Sequence, residues 1–454
     1  MKITPRSLLL GILLFSFCAR VRAEPAVPLQ ADFGDAILRH WVQPEYPEAA
    51  QRGKLEGKVV VEFVVEADGK VTRASVKNSS DEKFNASALA AVEKWTFVAA
   101  TADGKPAASG MQVTVIFKLA QLNQKNPPAI PPLNQMPVPL PIVPAKLTST
   151  PTPDYPDELA DRRLPGHVVL EFTIDSEGRP QAPKILWSSH AAFVGEALKT
   201  LEKYQFQPAH QGPLLLPSGP TKGQMDFESL GASRAELLAV NHLTVVEAEK
   251  FRDLPKPAVL PEPVYPRELL LKGESGSATV AFTVTGHGVV SEILLKEASR
   301  PEFGAALIAA IEASAFDAAF VGTYPASAKL IATWKFVPPE TGELNRLMVA
   351  LQPGGPGIGG ARGLDERLRP IWRVSPVYPD ALRVDKPVGK ATIEFIIDRD
   401  GRCRLPRVVS ASQPEFGSAA AAAINQWVFA PPMKGGQPVD VTVNIPVDFP
   451  PPRD

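Results

Sequence analysis

Cysteine is nearly absent from this sequence: the 454 residues hold two, Cys18 and Cys403. A net charge of either sign is absent too, because 48 Lys and Arg stand against 49 Asp and Glu. No overall field therefore draws the chain to nucleic acid or to anionic lipid. Long hydrophobic runs are missing apart from Leu8 to Ala19, and no other stretch approaches membrane-spanning length. Histidine is scarce, at six residues. Proline is abundant: 48 residues, about twice the usual share, which points to stiff linkers and repeated turns.

The first residues have the three parts of a secretory leader. Lys2 and Arg6 form a basic start, Leu8 to Ala19 an uncharged apolar run, and Val21-Arg22-Ala23 a small-residue cleavage pattern before Glu24. A retained anchor is the rival reading. Twelve helical residues span only ~18 Å, however, against about 30 Å of hydrocarbon, and Arg20 and Arg22 close the run. Phe15-Ser16-Phe17 ahead of Cys18 lacks the small residues that lipidation of a cysteine requires. Removal of residues 1–23 leaves Cys403 without a disulfide partner, as a small apolar core residue aligned with Val71 and Val290.

Self-similarity organises the rest. Tyr-Pro occurs at Tyr46-Pro47, Tyr155-Pro156, Tyr265-Pro266 and Tyr378-Pro379. Eleven residues after each Tyr stands a Gly (Gly57, Gly166, Gly276, Gly389), and seventeen after it a Phe (Phe63, Phe172, Phe282, Phe395). A second Gly follows at plus twenty-three (Gly69, Gly178, Gly288, Gly401). Further Phe residues stand at plus thirty-eight (Phe84, Phe193, Phe303, Phe416) and plus fifty-one (Phe97, Phe206, Phe316, Phe429). The four copies align over this span without an insertion.

Each copy reads as helix, strand, strand, helix, strand. The Pro suits a first helical turn, and apolar Ala50, Leu159, Leu269 and Leu382 follow it. The Gly at plus eleven is expected to end that helix. Val59-Val61-Phe63-Val65 alternates with largely polar residues, as do its three counterparts, so one sheet face is expected to be wet and the sheet antiparallel. Asp68-Gly69 and Asp400-Gly401 are hairpin dipeptides. Phe84, Ala88, Ala91, Val92 and Trp95 form the buried stripe of a second helix, and Val113 to Leu119 or Val439 to Val447 closes the unit.

Gln43-Pro44-x-Tyr46-Pro47, Glu56-Gly57, Val59-x-Val61-x-Phe63, Asp68-Gly69-x-Val71, Ser79-Ser80, Phe84 and Trp95-x-Phe97 together resemble the signature of the TonB C-terminal domain family. The fourth copy keeps most of it, including Trp427-x-Phe429. The second has Tyr204 in place of the Trp, and the third has Ser314 there with His287-Gly288 at its turn. The resemblance implies an α+β chain of four tandem small domains, each two helices on a three-stranded antiparallel sheet. The expected boundaries are 35–121, 147–230, 255–339 and 367–450. A proline-rich linker fills 122–146, a helical connector 231–254 (Ser233 to Arg252 as the helix), and a glycine-rich linker 340–366.

No active site is expected. The histidines share no repeat offset and pair nowhere at metal-ligand spacing, so they read as single surface or turn residues, and neither a metal nor a cofactor is anticipated. Glu62, Glu171 and Glu394 recur at plus sixteen but alternate with the buried Phe, as solvated strand residues. Ser79-Ser80 and Ser188-Ser189 read as helix caps rather than nucleophiles. Gly354 to Gly360 lacks the Lys-Ser/Thr of a phosphate loop.

In the family that the chain resembles, the domain pairs its third strand with the TonB box of an outer-membrane transporter, which is strand addition at a sheet edge. The resemblance thus implies a periplasmic protein whose partner is an outer-membrane TonB-dependent transporter or another envelope protein. It touches no nucleic acid, and meets the membrane only through partners or a retained N-terminal segment. The implied docking residues are Gln43, Pro44, Tyr46 and Pro47 of the entry segment with Val113, Val115 and Phe117 of the edge strand. Two readings compete: an energy transducer, and a periplasmic adaptor without coupling to the proton gradient. The short apolar run strains the first, as do the 22 residues between Glu24 and Tyr46, which reach under about 80 Å. A degenerate hydrolase lacks catalytic residues. Among the copies, the first is expected to dock best, since Val113 to Leu119 has no proline, whereas copy four has Pro446 and copy two only a fragment, Gln224 to Phe227. Copy three, with Leu330 to Phe336, is the expected reserve. N-terminal sequencing of the native protein is expected to begin at Glu24; a start at Met1 in salt-washed membranes would return the transducer to first place.

Overall fold

The computed structural model describes residues 33–123, 131–228 and 231–452. The leader assigned to residues 1–23 and residues 124–130 of the spacer lie outside the described residues. In chain order the first unit contains α1 (Glu48–Arg52), β1 (Gly57–Val65), β2 (Val71–Ser79), α2 (Asn85–Val92) and β3 (Ser109–Phe117). A short strand β4 (Val138–Pro139) lies in the spacer. The second unit has β5 (Gly166–Ile174), β6 (Pro180–Ser188), α3 (Ala191–Glu202) and β7 (Ser218–Phe227). Helix α4 (Arg234–Val240) and strand β8 (Leu243–Val245) form the connector. The third unit follows with α5 (Arg267–Leu271), β9 (Gly276–Val284), β10 (Val290–Ala298), α6 (Pro301–Glu312) and β11 (Ala328–Phe336). After α7 (Gly342–Leu351) come β12 (Gly389–Ile397), β13 (Cys403–Ala411), α8 (Pro414–Ile424) and β14 (Val441–Phe449). The chain is thus mixed α and β, in small antiparallel sheets with short helices.

In every unit the first long strand is central: β2-β1-β3, β6-β5-β7, β10-β9-β11 and β13-β12-β14. A short entry strand, Ile37–His40 in the first unit, pairs beside the Phe at plus fifty-one, as Leu38 does with Phe97. Each unit has a core, that of the second also taking in Trp372 and Val428 of the fourth, and the helical stripe Phe84, Ala88, Ala91, Val92 and Trp95 is buried.

Four contacts recur in all units. The Tyr of each Tyr-Pro donates its hydroxyl hydrogen bond to the carbonyl nine residues on: Tyr46 to Leu55, Tyr155 to Leu164 (2.7 Å), Tyr265 to Glu274 (2.6 Å) and Tyr378 to Pro387 (2.6 Å). The Phe at plus thirty-eight packs against a Phe of the third strand, stacked in units one and three and tilted in two and four, with centroids at 4.6 Å for Phe84–Phe117 and Phe193–Phe227, 4.4 Å for Phe303–Phe336 and 4.7 Å for Phe416–Phe449. The Gly at plus twenty-three has φ between +77° and +83° and accepts a bond from the Phe at plus fifty-one, as in Phe97 N–H to Gly69 O at 2.8 Å. Last, the Ser thirty-four residues after each Tyr accepts from a strand amide: Lys58 to Ser80 and Ser277 to Ser299 at 2.9 Å, His167 to Ser189 and Lys390 to Ser412 at 3.0 Å.

Several expectations are corrected. The Gly at plus eleven does not end a helix; it opens the central strand, under the Phe ring. Ser80 and Ser189 brace that strand, while Asp81 and His190 do the capping. The first helix is five residues long in units one and three and a single 3-10 turn, Asp157–Leu159 or Asp380–Leu382, in units two and four. The third strand of unit two is not a fragment. Strand β7 pairs with β5 from Phe227 to Ser218, with one extra residue at Gly219-Pro220. Of the connector, only α4 is a longer helix, held by a Ser233–Glu236 capping box, before the chain turns into β8.

These contacts give opposed outcomes within one unit. A Cβ on Gly166 would meet the Phe193 ring at 2.5 Å, whereas one on Gly195, inside α3, meets nothing within 4 Å. Gly166→Ala should cost about 2 kcal/mol or more, a fall of roughly 10 °C in the melting temperature of a unit this size. Gly195→Ala should stabilise by roughly 0.5–1 kcal/mol. Calorimetry of the full chain checks both signs.

Candidate strand-docking edges

Each sheet has two edges, and the backbone treats them differently. The residue twenty-seven after the Tyr, on the second strand, is in the left-handed region in every unit: Arg73 (φ 51°), Ala182 (50°), Glu292 (53°) and Leu405 (50°). The ladder to the central strand shifts register twice there in each unit. A strand bulged in this way offers no regular row of donors and acceptors, so the sheets can grow only on the third-strand side.

On that side alternate residues turn their backbone groups outward. In the first unit they are largely taken. Strand β4 lies antiparallel on β3, with Val138 opposite Gln112. Leu140 N–H donates to Gly110 O at 2.9 Å, Gly110 N–H to Gln211 Oε1 at 2.8 Å, and Ile116 N–H to Gln135 Oε1 at 3.0 Å. Pro137, Pro139 and Pro141 occupy the alternate positions, so the strap carries no N–H on its far side. In the third unit β8 lies on β11, with Thr244 opposite Ile331, while Thr333 N–H reaches His242 O and Val246 N–H reaches Lys329 O. In the fourth, Thr442 N–H donates to Gly359 O at 2.8 Å, and Pro446 lacks a donor further along. The fourth unit's β14 thus carries one bridge and no strand, and among the described residues only β7 of the second unit has neither a strand nor a bridge on its outer side.

The expected docking residues do not form one surface. Val113, Val115 and Phe117 are 1% exposed, inside the core. Tyr46 meets the Phe117 ring edge-on at 5.8 Å as core packing, and burial with the charge of Glu56 pushes its hydroxyl pKa up. Pro44 is buried, while Gln43, Tyr46 and Pro47 line a groove of about 350 Å³ against α2. The open edge was missed because Gly219, Pro220 and Gly223 read as a broken strand.

Three segments, residues 42–119, 151–215 and 374–451, match the model of the Gram-negative bacterial TonB protein C-terminal family. Over these three segments, a little under half of its length, the chain is similar to the TonB C-terminal family. Protein TonB of Xanthomonas campestris pv. campestris (strain B100) is 38% identical over 86 residues, which is 19% of this chain and 39% of that protein. Protein TonB of Vibrio cholerae serotype O1 is 33% identical over 85 residues, 18% of this chain and 35% of its own. Protein TonB of Salmonella typhimurium is 36% identical over 105 residues, 23% and 40% respectively. The chain thus spans about two fifths of the length of the relatives it matches. The solution NMR structure of Pseudomonas aeruginosa TonB CTD aligns at 26% identity over 22% of this chain and 95% of that one, with a TM-score of 0.17.

The TonB-type signature Trp has a physical role: Trp95 Nε1–H donates to Val42 O at 2.9 Å, and Trp427 Nε1–H to Val374 O at 2.8 Å, pinning the entry segment. Units two and three lack this tie. Instead they are bolted to their neighbours by buried arginines. Arg162 donates to Asn241 Oδ1 and Leu260 O, both at 2.9 Å, across units two and three. Arg267 donates to Glu394 Oε1 at 2.7 Å and to the carbonyl of the bulge residue Leu405. Glu394 is therefore an inter-unit ion pair and not a solvated strand residue. Ile396 and Leu405, on the face expected to be wet, are buried beside Leu270 and Leu347. Burial raises the Glu158 pKa, but Arg402 and Arg404 of unit four outweigh it and hold the carboxyl below its usual range.

One buried and one half-buried group titrate in opposite senses. His190 is not a surface residue; it caps α3 by accepting from Ala192 N–H at 3.1 Å, and burial with the charges of Arg402 and Arg162 pushes it down to about 3. Its folded form binds fewer protons, so stability is lost as pH falls from about 6.5 towards 3. Glu312 accepts from Asp380 N–H at 2.8 Å, and burial pushes it up to about 7. It loses stability as pH rises from 4.5 to about 7. Each slope reaches at most about 1.4 kcal/mol per pH unit, and between pH 4.5 and 6.5 they cancel. Glu312→Gln should make stability fall on acidification in that window, and His190→Asn should make it rise. Urea midpoints across pH check both.

Proposed function

We propose that this is a TonB-like periplasmic protein of the bacterial envelope. Its four units act as TonB C-terminal-like domains, with the boundaries 35–121, 147–230, 255–339 and 367–450, and it serves energised transport across the outer membrane by binding extended transporter segments at sheet edges. The observation that carries this reading is that the chain's own third-strand edges take up extended segments, β4 on β3 and β8 on β11. An edge that accepts a strand in cis has the geometry to accept one in trans. The relatives named Protein TonB support the family context. No catalytic step is assigned to it. Among the described residues no helix is long and apolar enough to cross a membrane.

A second reading, a non-energised periplasmic adaptor, is favoured by a specific observation. The buried Arg162 and Arg267 and the Glu158–Arg402 pair join units two, three and four to one another, which suits a scaffold. Titrating the full chain with TonB-box peptides, read by amide hydrogen exchange, tests the shared premise: protection should fall on third-strand amides. Protection confined to the helices would sink both readings.

A further inference from the structure

We propose that the docking edge for an outside partner is β7 of the second unit, and that its partner is an extended peptide with an acidic residue at one central position. The proposal rests on strand addition being the mode of binding. The second-strand edges are bulged in all units, and the third-strand edges of units one, three and four carry segments of this chain. On β7 the register to β5 places Lys222 opposite Glu171, Gln224 opposite Val169 and Asp226 opposite His167. By the parity seen in the first unit, Lys222, Gln224 and Asp226 turn their backbone groups outward. Lys222, Gln224 and Pro220 are exposed. The extra residue at Gly219-Pro220 ends the regular row, so the site takes about five residues of extended chain.

Charge then selects the occupant. Across the outer face of this sheet Lys184, Glu171 and Lys222 stand side by side, plus, minus, plus. Asp226 is already engaged by His167 Nδ1 and by Gln224 Nε2, the latter at 2.7 Å. Lys222 is left as the charge that a fourth strand would face, and an acid there continues the alternation. The chain shows where that acid belongs. Thr244 lies opposite Ile331, itself opposite Ala281, and Val138 lies opposite Gln112, itself opposite Glu62. The same register puts the matching partner residue opposite Lys222. Its neighbours face the helix-covered side, where Leu243 and Val245 are buried in unit three, and should be apolar.

The probe is a peptide copying residues 241–247 with Thr244→Glu, and a Thr244→Lys twin, added to the full chain. Amide exchange should show protection at Lys222, Gln224 and Asp226, with the Glu peptide roughly threefold tighter than its twin. In the surface variant Lys222→Glu that preference should reverse. Gln224→Pro, which removes one outward donor at an edge, should abolish protection without lowering the melting temperature. Protection of residues 110–116 or 329–335 instead would overturn this proposal while leaving strand addition standing. Protection nowhere would overturn both. Protection of β7 without peptide, in step with dimer formation in the ultracentrifuge, would assign the edge to a second copy and overturn the proposal.

Discussion

A phenylalanine ring lying on a glycine holds each unit together. The ring at plus thirty-eight touches the Gly that opens the central strand, packs against the last aromatic of the third strand and takes the Tyr edge-on, as with Gly57, Phe84, Phe117 and Tyr46. That cluster joins the second helix, both ends of the sheet and the entry turn. A side chain on the glycine would lift the helix from the sheet, so the close approach of strand and ring is a condition for the remaining packing. The Tyr hydroxyl, bonded nine residues on, fixes the turn that delivers the chain to that glycine.

With the interiors fixed alike, the units differ at their rims. One rim is made irregular by a left-handed residue at a constant place; the other is regular and has to be covered or left open. The first unit uses a proline-alternating strap, the third a strand from its connector, and the fourth a glycine segment with a proline on the rim itself. Where the signature Trp is missing, buried arginines between units supply the fastening: Arg162 works from unit two and Arg267 from unit three.

Much of this was written in the sequence. Equal offsets of Tyr, Gly and Phe revealed the units, and the alternation around Phe63 or Phe395 revealed the central strand. The aromatic at the end of the third strand escaped because unit two carries one extra residue before Phe227. The bulge could not be read, since Arg73, Ala182, Glu292 and Leu405 share no side-chain chemistry, only a backbone angle. Likewise the candidate site was half legible. Period two in Val113 to Phe117 identified a third strand, but that same period turns those side chains into the core. Which rims were covered depended on segments distant in sequence, although the proline alternation from Pro137 to Pro141 was a signal in plain view.

The strap on the first unit has a consequence for competition. It is tied to the strand it covers by about twenty residues of chain, so it faces its site at an effective concentration on the order of millimolar. A free peptide has to displace a rival that never diffuses away, and its apparent affinity there is weakened by the strap's own occupancy. On the uncovered rim of the second unit no such discount applies. Identical intrinsic affinities would therefore register as different sensitivities, with the second unit responding to scarce partners and the first only to abundant ones.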